Sequence, residues 1–345
     1  MKILIVDLGA VWGGQEIYSL NLMSALRSEG HFIVSVSSNG KHKLSADMYC
    51  YANIEYLSFI SLRKLVRELV IKYGIDVVHV NGNRAMYLAP LLRVPVKLVA
   101  TKHLPFFVGL SRPLKHRFAR WLSAWLFGAL DHIICVAGAT YDDLPNGCKE
   151  KASVIPNGVP DKLTALARAS GDEEVKLCYV ARLVEHKGIL PLMHGVVAAV
   201  SAGAGCHLSI AGDGPLREDV EALVKSHPEL FSYHGFVADP AGIYNQADIC
   251  CLPSLSEGMP LNILEAFSCG LPVLAVDIPG VNEVVNNRNG WLLSDNSSET
   301  IAREVKSICM QIEDISKKSS EARLNYECCY TVDLMTQRTL EVYGG

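Results

Sequence analysis

The stretch Ser254-Leu-Ser-Glu-Gly-Met-Pro-Leu-Asn-Ile-Leu-Glu-Ala-Phe-Ser-Cys-Gly-Leu-Pro272 decides the fold of the second half of this chain. It follows an apolar run that ends near Leu252 and indicates a buried strand. Pro260 suits the first turn of a helix, where its missing N–H has no intrahelical partner. Gly270 is typical of a left-handed helix end, and Pro272 prevents the helix from continuing. The stretch therefore predicts a strand, a turn and a helix in series.

Two carboxylates, Glu257 and Glu265, lie on this stretch with seven residues between them. A helix that begins after a parallel strand favours phosphate through its free N–H groups and its dipole. Gly258 in the turn lets a ligand approach the backbone closely. Glu257 is then placed to accept hydrogen bonds from sugar hydroxyls, and Glu265 from a ribose hydroxyl pair. The alternative is a capped surface helix with two solvated glutamates.

Short apolar runs alternate with helical patterns along the first half of the chain. Helices are predicted at about 16–28, which stops before Gly30, and at about 62–72. The predicted strands are Lys2–Asp7, Ile33–Ser37, Asp76–Val80, Val96–Thr101 and His132–Val136. Regular alternation of strands and helices predicts a parallel sheet.

The same alternation restarts in the second half. The predicted strands there are Val175–Ala181, His207–Gly212, Ser232–Phe236, Ala247–Leu252 and Pro272–Val276. Ile155-Pro-Asn-Gly-Val-Pro160 has the two prolines and the glycine of a linker. We therefore predict domains at 1–158 and 159–328 and a C-terminal helix within 329–345. The pattern leaves open whether that helix packs back on the N-terminal domain.

Composition narrows the class of protein. The chain has 345 residues, 50% of them hydrophobic, and 32 basic against 36 acidic residues, so its net charge of −4 argues against a nucleic-acid binder. Eleven cysteines form no CxxC pair, and Cys250, Cys251 and Cys269 fall in apolar runs. Buried reduced thiols indicate a reducing cytoplasm. Met1 leads directly into a strand and no apolar run is long enough to span a bilayer, so we expect neither a signal peptide nor a membrane helix.

Several motifs in a fixed order carry a family resemblance. The segment Ser256–Ala266 resembles the E-x7-E signature of the retaining glycosyltransferases of family 4, which have the GT-B fold. Further family motifs are similar to Gly13–Glu16, Val154–Val159, Ala181–Gly188, Ile210–Pro215 and Gly235–Val237. The likeness covers nearly the whole chain and is strongest from Val154 to Leu293. It implies an α/β protein of two Rossmann-like domains, an N-terminal acceptor domain and a C-terminal donor domain, whose parallel sheets face each other across an interdomain cleft.

The resemblance also implies a donor site for a nucleotide-diphosphate sugar. Arg182 and Lys187 follow the first strand of the second half, where two fixed cations stabilise the charge that the leaving diphosphate gains. The alternative is two solvated surface cations. The expected donor-binding residues are Gly13, Gly14, Arg182, Lys187, Gly212, Asp213, Phe236, Val237, Glu257, Gly258, Met259, Pro260, Leu261 and Glu265. No Asp-x-Asp cluster is present to hold a divalent ion, and the family implies transfer without a metal or other cofactor.

For some of these residues the sequence allows a second role. Phe236 and Val237 are expected beside the nucleobase, with core packing of Phe236 as the alternative, and Asp213 either borders the donor or shapes its turn. Glu257, His103, Arg182 and Lys187 form the expected catalytic set. In the family a histidine at the position of His103 lies near the reacting sugar.

In this chain Leu104 follows His103 where the family has aspartate. His79, at another strand end, is a second candidate. Glu16 is a further acceptor-side candidate, although a carboxylate in a first helical turn is also favoured by the helix dipole alone.

A basic and aromatic segment hints at the acceptor. Residues 111–127 place Arg112, Lys115, Arg117 and Arg120 before Trp121 and Trp125. Such a helix suits the anionic face of a membrane and a lipid-linked acceptor. A packed helix with a solvated basic face is the alternative, so peripheral attachment at the inner face of the cytoplasmic membrane stays open.

The function that follows is transfer of a sugar from a UDP- or GDP-sugar to a hydroxyl of a glycan or lipid-linked acceptor, with retention of configuration. Bacterial surface polysaccharide or lipopolysaccharide assembly is the pathway that family analogy suggests. A nucleotide-sugar epimerase of GT-B fold and a non-catalytic nucleotide-sugar binder are the alternatives. A dinucleotide-dependent dehydrogenase is disfavoured, because no G-x-G-x-x-G follows the first strand.

Overall fold

The chain divides into two compact units. The computed structural model describes residues 1–9, 13–38, 40–52, 58–104, 121–163 and 174–344. Unit 1 comprises Met1–Gly158 together with Thr331–Gly345, and unit 2 comprises Val159–Tyr330. The chain therefore leaves unit 1 once and returns to it for its last helix.

Unit 1 is built on a seven-stranded parallel sheet. Its strands are β1 (Lys2–Asp7), β2 (Phe32–Ser37), β3 (Met48–Tyr51), β4 (Val77–Asn81), β5 (Lys97–Lys102), β6 (His132–Cys135) and β7 (Ala152–Val154). Their order in the sheet is β3-β2-β1-β4-β5-β6-β7, and the paired strands run parallel. From β1 the chain adds strands towards β3 on one side of the sheet, and from β4 it adds them towards β7 on the other side. Open α/β sheets bind ligands at such a switch point, beyond the carboxyl ends of the strands.

Helices connect the strands of unit 1. They are α1 (Gly14–Ser28), α2 (Phe59–Tyr73), α3 (Gly82–Leu92), α4 (described over 121–127), α5 (Gly138–Asp142) and α6 (Asn146–Lys149). The ends of α2 show why the sequence stops where it does. The Ser58 hydroxyl accepts a hydrogen bond from the backbone N–H of Ser61, and Gly74 closes the helix in the left-handed conformation.

Unit 2 repeats the design with six parallel strands. They are β8 (Val175–Val180), β9 (Cys206–Ala211), β10 (Phe231–Tyr233), β11 (Ile249–Leu252), β12 (Val273–Val276) and β13 (Gly290–Leu293), in the order β10-β9-β8-β11-β12-β13. Its helices are α7 (Ile189–Ser201), α8 (Arg217–Ser226), α9 (Ala241–Gln246), α10 (Leu261–Ser268), α11 (Ser298–Met310) and α12 (Glu313–Cys329). This order has a switch point of the same kind at its centre, between β8 and β11.

The last helix, α13 (Val332–Gly344), belongs to unit 1. Met335 and Tyr343 of α13 are buried with Tyr18 and Leu22 of α1 and with strand residues such as Ile5. A second apolar cluster covers the other face of the same sheet, and unit 2 has its own cluster around β8 and β9. Each sheet is covered on both faces, which explains the continuous apolar runs of the central strands.

The fold confirms the predicted pair of parallel-sheet α/β domains and corrects several details. Pro260 lies immediately before α10 with extended backbone, so it is not in the first helical turn. The predicted strand Ser232–Phe236 ends at Tyr233, which leaves Phe236 outside the sheet. Lys187 ends a short 3-10 helix, Glu185–Lys187, in the loop that follows β8.

Candidate functional site

In unit 2, hydrogen bonds and close packing join the loop after β8 to the turn before α10. The backbone N–H of Leu255 donates to the carbonyl of His186 at 2.8 Å, and the side-chain amide of Asn262 donates to the carbonyl of Val180 at 3.1 Å. Gly188 has a φ of +73°, and a Cβ there would lie 2.3 Å from the carbonyl oxygen of Pro253. The two segments therefore form one rigid rim at the carboxyl ends of β8 and β11.

This rim brings Lys187 and Glu257 into contact. Nζ of Lys187 lies 2.5 Å from Oε1 of Glu257, and the two side chains are 15% and 9% exposed. Lys187 is thus ion-paired beside the N-terminus of α10, and the alternative that it is a solvated surface cation is wrong. Arg182 is exposed, and its backbone carbonyl accepts a hydrogen bond from the buried hydroxyl of Tyr179 at 3.2 Å.

The turn that carries Glu257 is itself tightly packed. Gly280, at φ +85°, lies so close to Gly258 that a Cβ would come within 2.0 Å of the Gly258 carbonyl oxygen. Met259, Pro260 and Leu261 are buried. The hydroxyl of Ser254 is buried and makes no hydrogen bond within the described part of the chain. Close packing therefore holds the start of α10 in one position beside Glu257.

The predicted loop at Gly212–Gly214 joins the same end of the sheet. The backbone N–H of Gly212 donates to the carbonyl of Gly235 at 2.8 Å, and Leu183 donates to the carbonyl of Asp213 at 3.0 Å. The carboxylate of Asp213 accepts from the backbone of Gly214 at 2.8 Å, so it shapes its own turn. Phe236 follows Gly235 and is 63% exposed. Core packing of Phe236 is therefore wrong, and its ring is available at this end of unit 2 beside the partly buried Val237.

Glu265 on α10, whose side chain is 14% exposed, lies in a charged cluster that the sequence did not predict. Its carboxylate lies 3.4 Å from Nζ of Lys162 and accepts a hydrogen bond from the hydroxyl of Tyr244 at 3.3 Å. Lys162 also contacts Asp239 at 3.0 Å. Burial raises the pKa of Glu265, and Lys162 opposes that rise. Nothing in the local pattern around Lys162 indicates this role, because the contact is made only when the chain folds.

In unit 1, the carboxyl end of β1 holds a buried carboxylate. Oδ1 of Asp7 accepts hydrogen bonds from the Gly9 backbone at 3.1 Å and from the Gln15 side chain at 2.8 Å. Oδ2 accepts from the Ser19 hydroxyl at 2.6 Å and from the Asn81 amide at 2.9 Å. Asp7 is 1% exposed. Four donors therefore stabilise a charge that burial alone would strongly disfavour.

The two histidine candidates differ in surroundings. His103 follows β5, where its Nε2 lies 2.7 Å from the side-chain oxygen of Asn81 and its ring meets Tyr18 edge-on at 4.8 Å. Both ring nitrogens of His79 are occupied, by the hydroxyls of Tyr343 at 2.5 Å and Thr101 at 2.7 Å. Burial lowers the pKa of each to about 3. His79 is therefore a structural residue of the core, and the structure keeps His103 as the candidate.

The other predicted residues of unit 1 lie at the start of α1. Gly13 is the extended residue before the helix, Gly14 is its first residue, and Glu16 is buried in its first turn. In the segment 111–127, the four basic residues lie outside the described residues. Trp121 and Trp125 of α4 are 63% and 66% exposed.

Three further observations concern metal sites, membrane helices and the cysteines. Over the ranges given above, no cluster of His, Cys, Asp or Glu side chains has the arrangement of a metal site. None of the described helices combines the length and the apolar character that crossing a bilayer requires. Cys250, Cys251 and Cys269 are buried free thiols, as predicted.

Comparison with known proteins places these features in a family. The model described as Glycosyltransferase Family 4 matches residues 12–163, and the model described as Glycosyl transferases group 1 matches residues 174–311. An uncharacterized glycosyltransferase of Haemophilus influenzae is 25% identical over 99% of this chain and 98% of its own length. UDP-Gal:alpha-D-GlcNAc-diphosphoundecaprenol alpha-1,3-galactosyltransferase of Escherichia coli is 30% identical over 70% of this chain and 67% of its own.

A solved structure shares the fold of the whole chain. Anabaena Alr3699/HepE in complex with UDP superimposes with a TM-score of 0.83 at 17% identity, covering 100% of both chains.

Proposed function

The chain belongs to glycosyltransferase family 4 and is a nucleotide-sugar glycosyltransferase of GT-B fold, and from this premise we propose that it transfers a sugar from a UDP-sugar to a lipid-linked acceptor with retention of configuration. The name of the Escherichia coli relative supports the donor and acceptor classes, since it combines UDP-galactose with a sugar on diphosphoundecaprenol. The UDP bound to the Anabaena structure supports the same base. A role in bacterial surface polysaccharide assembly is part of this proposal.

The observation that carries the proposal is the Lys187–Glu257 pair at the start of α10. An incoming diphosphate competes with Glu257 for the ammonium group of Lys187. Its binding releases the carboxylate, which then accepts hydrogen bonds from the hydroxyls of the donor sugar. Arg182 and the backbone N–H groups of the first turn of α10 complete the binding of the diphosphate.

Other residues at the same end of unit 2 contact the ribose and the nucleobase of the donor. Glu265 binds the ribose hydroxyls, because it is a buried carboxylate one helical turn beyond the phosphate position. The exposed ring of Phe236 and the neighbouring Val237 lie against the nucleobase. Gly212 and Asp213 border the pocket through the backbone contacts that join them to Gly235 and Leu183.

Transfer breaks the bond between the sugar C1 and the phosphate oxygen and forms a bond from C1 to the acceptor oxygen on the same face. The proton of the acceptor hydroxyl moves to the departing phosphate oxygen. Lys187 and Arg182 stabilise the negative charge on that phosphate, so we propose that no metal ion is required. Glu257 positions the sugar and is not a nucleophile in this course.

Unit 1 is proposed to bind the acceptor. His103 contacts the reacting sugar or the acceptor, Gly13 and Gly14 contact the donor phosphate, and Glu16 is a further acceptor-side group. The exposed Trp121 and Trp125, after the basic sequence from 111 to 120, support peripheral attachment to an anionic membrane at its inner face. Sedimentation with anionic vesicles tests the attachment, and a protein that stays in the supernatant removes it.

The test of the function begins with a donor panel. UDP, GDP and their common sugar conjugates are compared by thermal shift, and turnover is then measured with the tightest-binding sugar and a polyprenyl-diphosphate-linked acceptor. We expect a UDP-sugar to raise the melting temperature and the product to keep the anomeric configuration of the donor by proton NMR. Conversion of the donor alone to an isomeric sugar supports the epimerase, and binding with neither reaction supports the non-catalytic alternative.

A further inference from the structure

The side chain of Asn81 connects the buried carboxylate of Asp7 to His103. Asn81 is the last residue of β4 and is 1% exposed. Its Nδ2 lies 2.9 Å from Oδ2 of Asp7, 3.0 Å from the carbonyl of Gln15 and 2.6 Å from the hydroxyl of Ser19. Its Oδ1 lies 2.7 Å from Nε2 of His103.

The partners of Asn81 leave one orientation for its amide. A carboxylate and a backbone carbonyl only accept hydrogen bonds, so the group that faces Asp7 and the carbonyl of Gln15 must be the NH₂. The single proton of Ser19 is directed to Asp7 at 2.6 Å, which leaves the hydroxyl oxygen to accept from Asn81 as well. Reversing the amide would place an oxygen against two acceptors.

This orientation determines which nitrogen of His103 carries the proton. The Asn81 oxygen can only accept, so Nε2 of His103 must donate to it. Burial first, and the neighbouring His79 second, lower the pKa of His103 to about 3, so the ring is neutral near pH 7. A neutral imidazole with a proton on Nε2 has an unprotonated Nδ1, which accepts hydrogen bonds and donates none.

We propose that Asp7 and Asn81 are positioning residues that fix His103 as its Nε2–H tautomer, so that Nδ1 accepts a hydrogen bond from a hydroxyl group of the bound sugar. The inference rests on the proposed place of His103 in the active site. It assigns His103 a role as an acceptor for a neutral hydroxyl, rather than as a general acid or as a cation for phosphate.

The first experiment measures the tautomer directly. The full-length protein is labelled with ¹⁵N-histidine, and the ring nitrogens of His103 are assigned by the signals that disappear in His103→Gln. At pH 7 we expect a protonated Nε2 and an unprotonated Nδ1. A protonated Nδ1, or a doubly protonated ring, overturns the proposal.

The role of Asn81 is tested with a matched pair of variants. Asn81→Leu removes the oxygen that accepts from Nε2, and we expect a mixture of tautomers. Ser19→Ala removes the hydroxyl that contacts both Asp7 and Asn81 but leaves the Asp7–Asn81–His103 contacts in place, and we expect the wild-type tautomer. An unchanged tautomer in Asn81→Leu shows that Asn81 does not set it.

Turnover then tests the acceptor function of Nδ1. His103→Asn places an amide group near the position of Nδ1, whereas His103→Gln places one near Nε2 and leaves no acceptor at Nδ1. We expect kcat/KM to be about tenfold higher for Asn than for Gln, the effect of one hydrogen bond of about 1.4 kcal/mol. Equal losses overturn the acceptor role of Nδ1. Wild-type turnover in both variants, with the expected tautomer, instead removes His103 from the proposed active site.

Discussion

The carboxyl ends of the central strands carry charge in both units, but they stabilise it differently. In unit 2, Glu257 is paired with a single cation, Lys187, at 2.5 Å. In unit 1, Asp7 accepts hydrogen bonds from four neutral donors, lies 3.8 Å from Nε2 of the buried His42 and is almost inaccessible. In the proposed donor site an anionic ligand replaces Glu257 beside Lys187, whereas no ligand can replace the donors around Asp7 without opening the core. The same topology therefore provides an exchangeable ion pair in one unit and a fixed hydrogen-bond anchor in the other.

Breaking the exchangeable pair should have the largest effect. We expect Lys187→Ala to lower kcat/KM by about 10²–10³, the range typical of losing one group that stabilises developing charge, and Glu257→Ala to lose most turnover. Lys317→Ala, which removes a cation that is 77% exposed on α12, is the matched control and should keep wild-type kinetics. Near wild-type activity in both Lys187→Ala and Glu257→Ala would show that this pair is not the donor site.

The buried histidines of unit 1 make its stability depend on pH. Burial lowers the folded pKa of His79 and His103 to about 3, below the unfolded value of 6.5. Between these values the unfolded chain binds more protons than the folded chain. The contribution of the two histidines to the free energy of unfolding is therefore fully present above pH 6.5 and is lost as the pH falls towards 3. At pH 5 the lowered pKa of each histidine should reduce the free energy of unfolding by about 2 kcal/mol relative to its value above pH 6.5.

Urea unfolding at pH 7.5 and pH 5, followed by circular dichroism, measures this loss. His79→Gln should reduce the difference between the two pH values but not abolish it, because burial also lowers the pKa of the remaining His103 and His42. His194→Gln, at an exposed position on α7, should leave the difference unchanged. A pH-independent unfolding midpoint would contradict the assignment.

Lys162 should tune the donor site through Glu265. Removing the cation in Lys162→Met lets burial raise the pKa of Glu265 further, and a protonated carboxyl accepts ribose hydrogen bonds less well. We expect UDP to bind about tenfold more weakly at pH 6, with affinity recovering as the pH rises. Calorimetry at several pH values measures this, with Lys225→Met at an exposed site of α8 as the control. A loss of affinity that is the same at every pH would indicate a merely structural role.

The smallest effect is expected at Phe236. Because its ring is 63% exposed, Phe236→Ala should change the free energy of unfolding by less than about 0.5 kcal/mol. UDP affinity should fall about fivefold, the lower end of what stacking against a base contributes (~1 kcal/mol). The exposed Leu324→Ala on α12 is the control. Unchanged UDP affinity would remove Phe236 from the base site.

Local pattern was sufficient for the central strands and for the helix after Glu257, because buried apolar runs and the Pro260 and Gly270 signals act within a few residues. It was insufficient for β3, a four-residue edge strand whose side chains are exposed or only partly buried. It also missed α3, which contains Pro90 in its last turn. Propensity predicts neither, since packing on neighbouring elements decides both.

The site shows the same limit. Glu257 and Lys187 were found because their motifs are contiguous in the sequence. Lys162, Asp7 and Asn81 were missed, since each acts through a partner that only the folded sheet brings within hydrogen-bond distance. The exposure of Phe236 likewise depended on where β10 ends.

The return of the chain to unit 1 has a practical consequence for protein engineering. Unit 2 is one continuous insertion whose two ends are joined, because the Val159 N–H donates to the carbonyl of Tyr330 at 3.0 Å. A gene fragment for residues 159–330 therefore encodes the whole six-stranded sheet with adjacent termini, so the proposed donor site can be evolved or transplanted as one continuous segment. A fragment ending at 158 lacks α13 and leaves His79 without the Tyr343 hydroxyl, so unit 1 is better produced by deleting residues 159–330 and joining the two ends with a short linker.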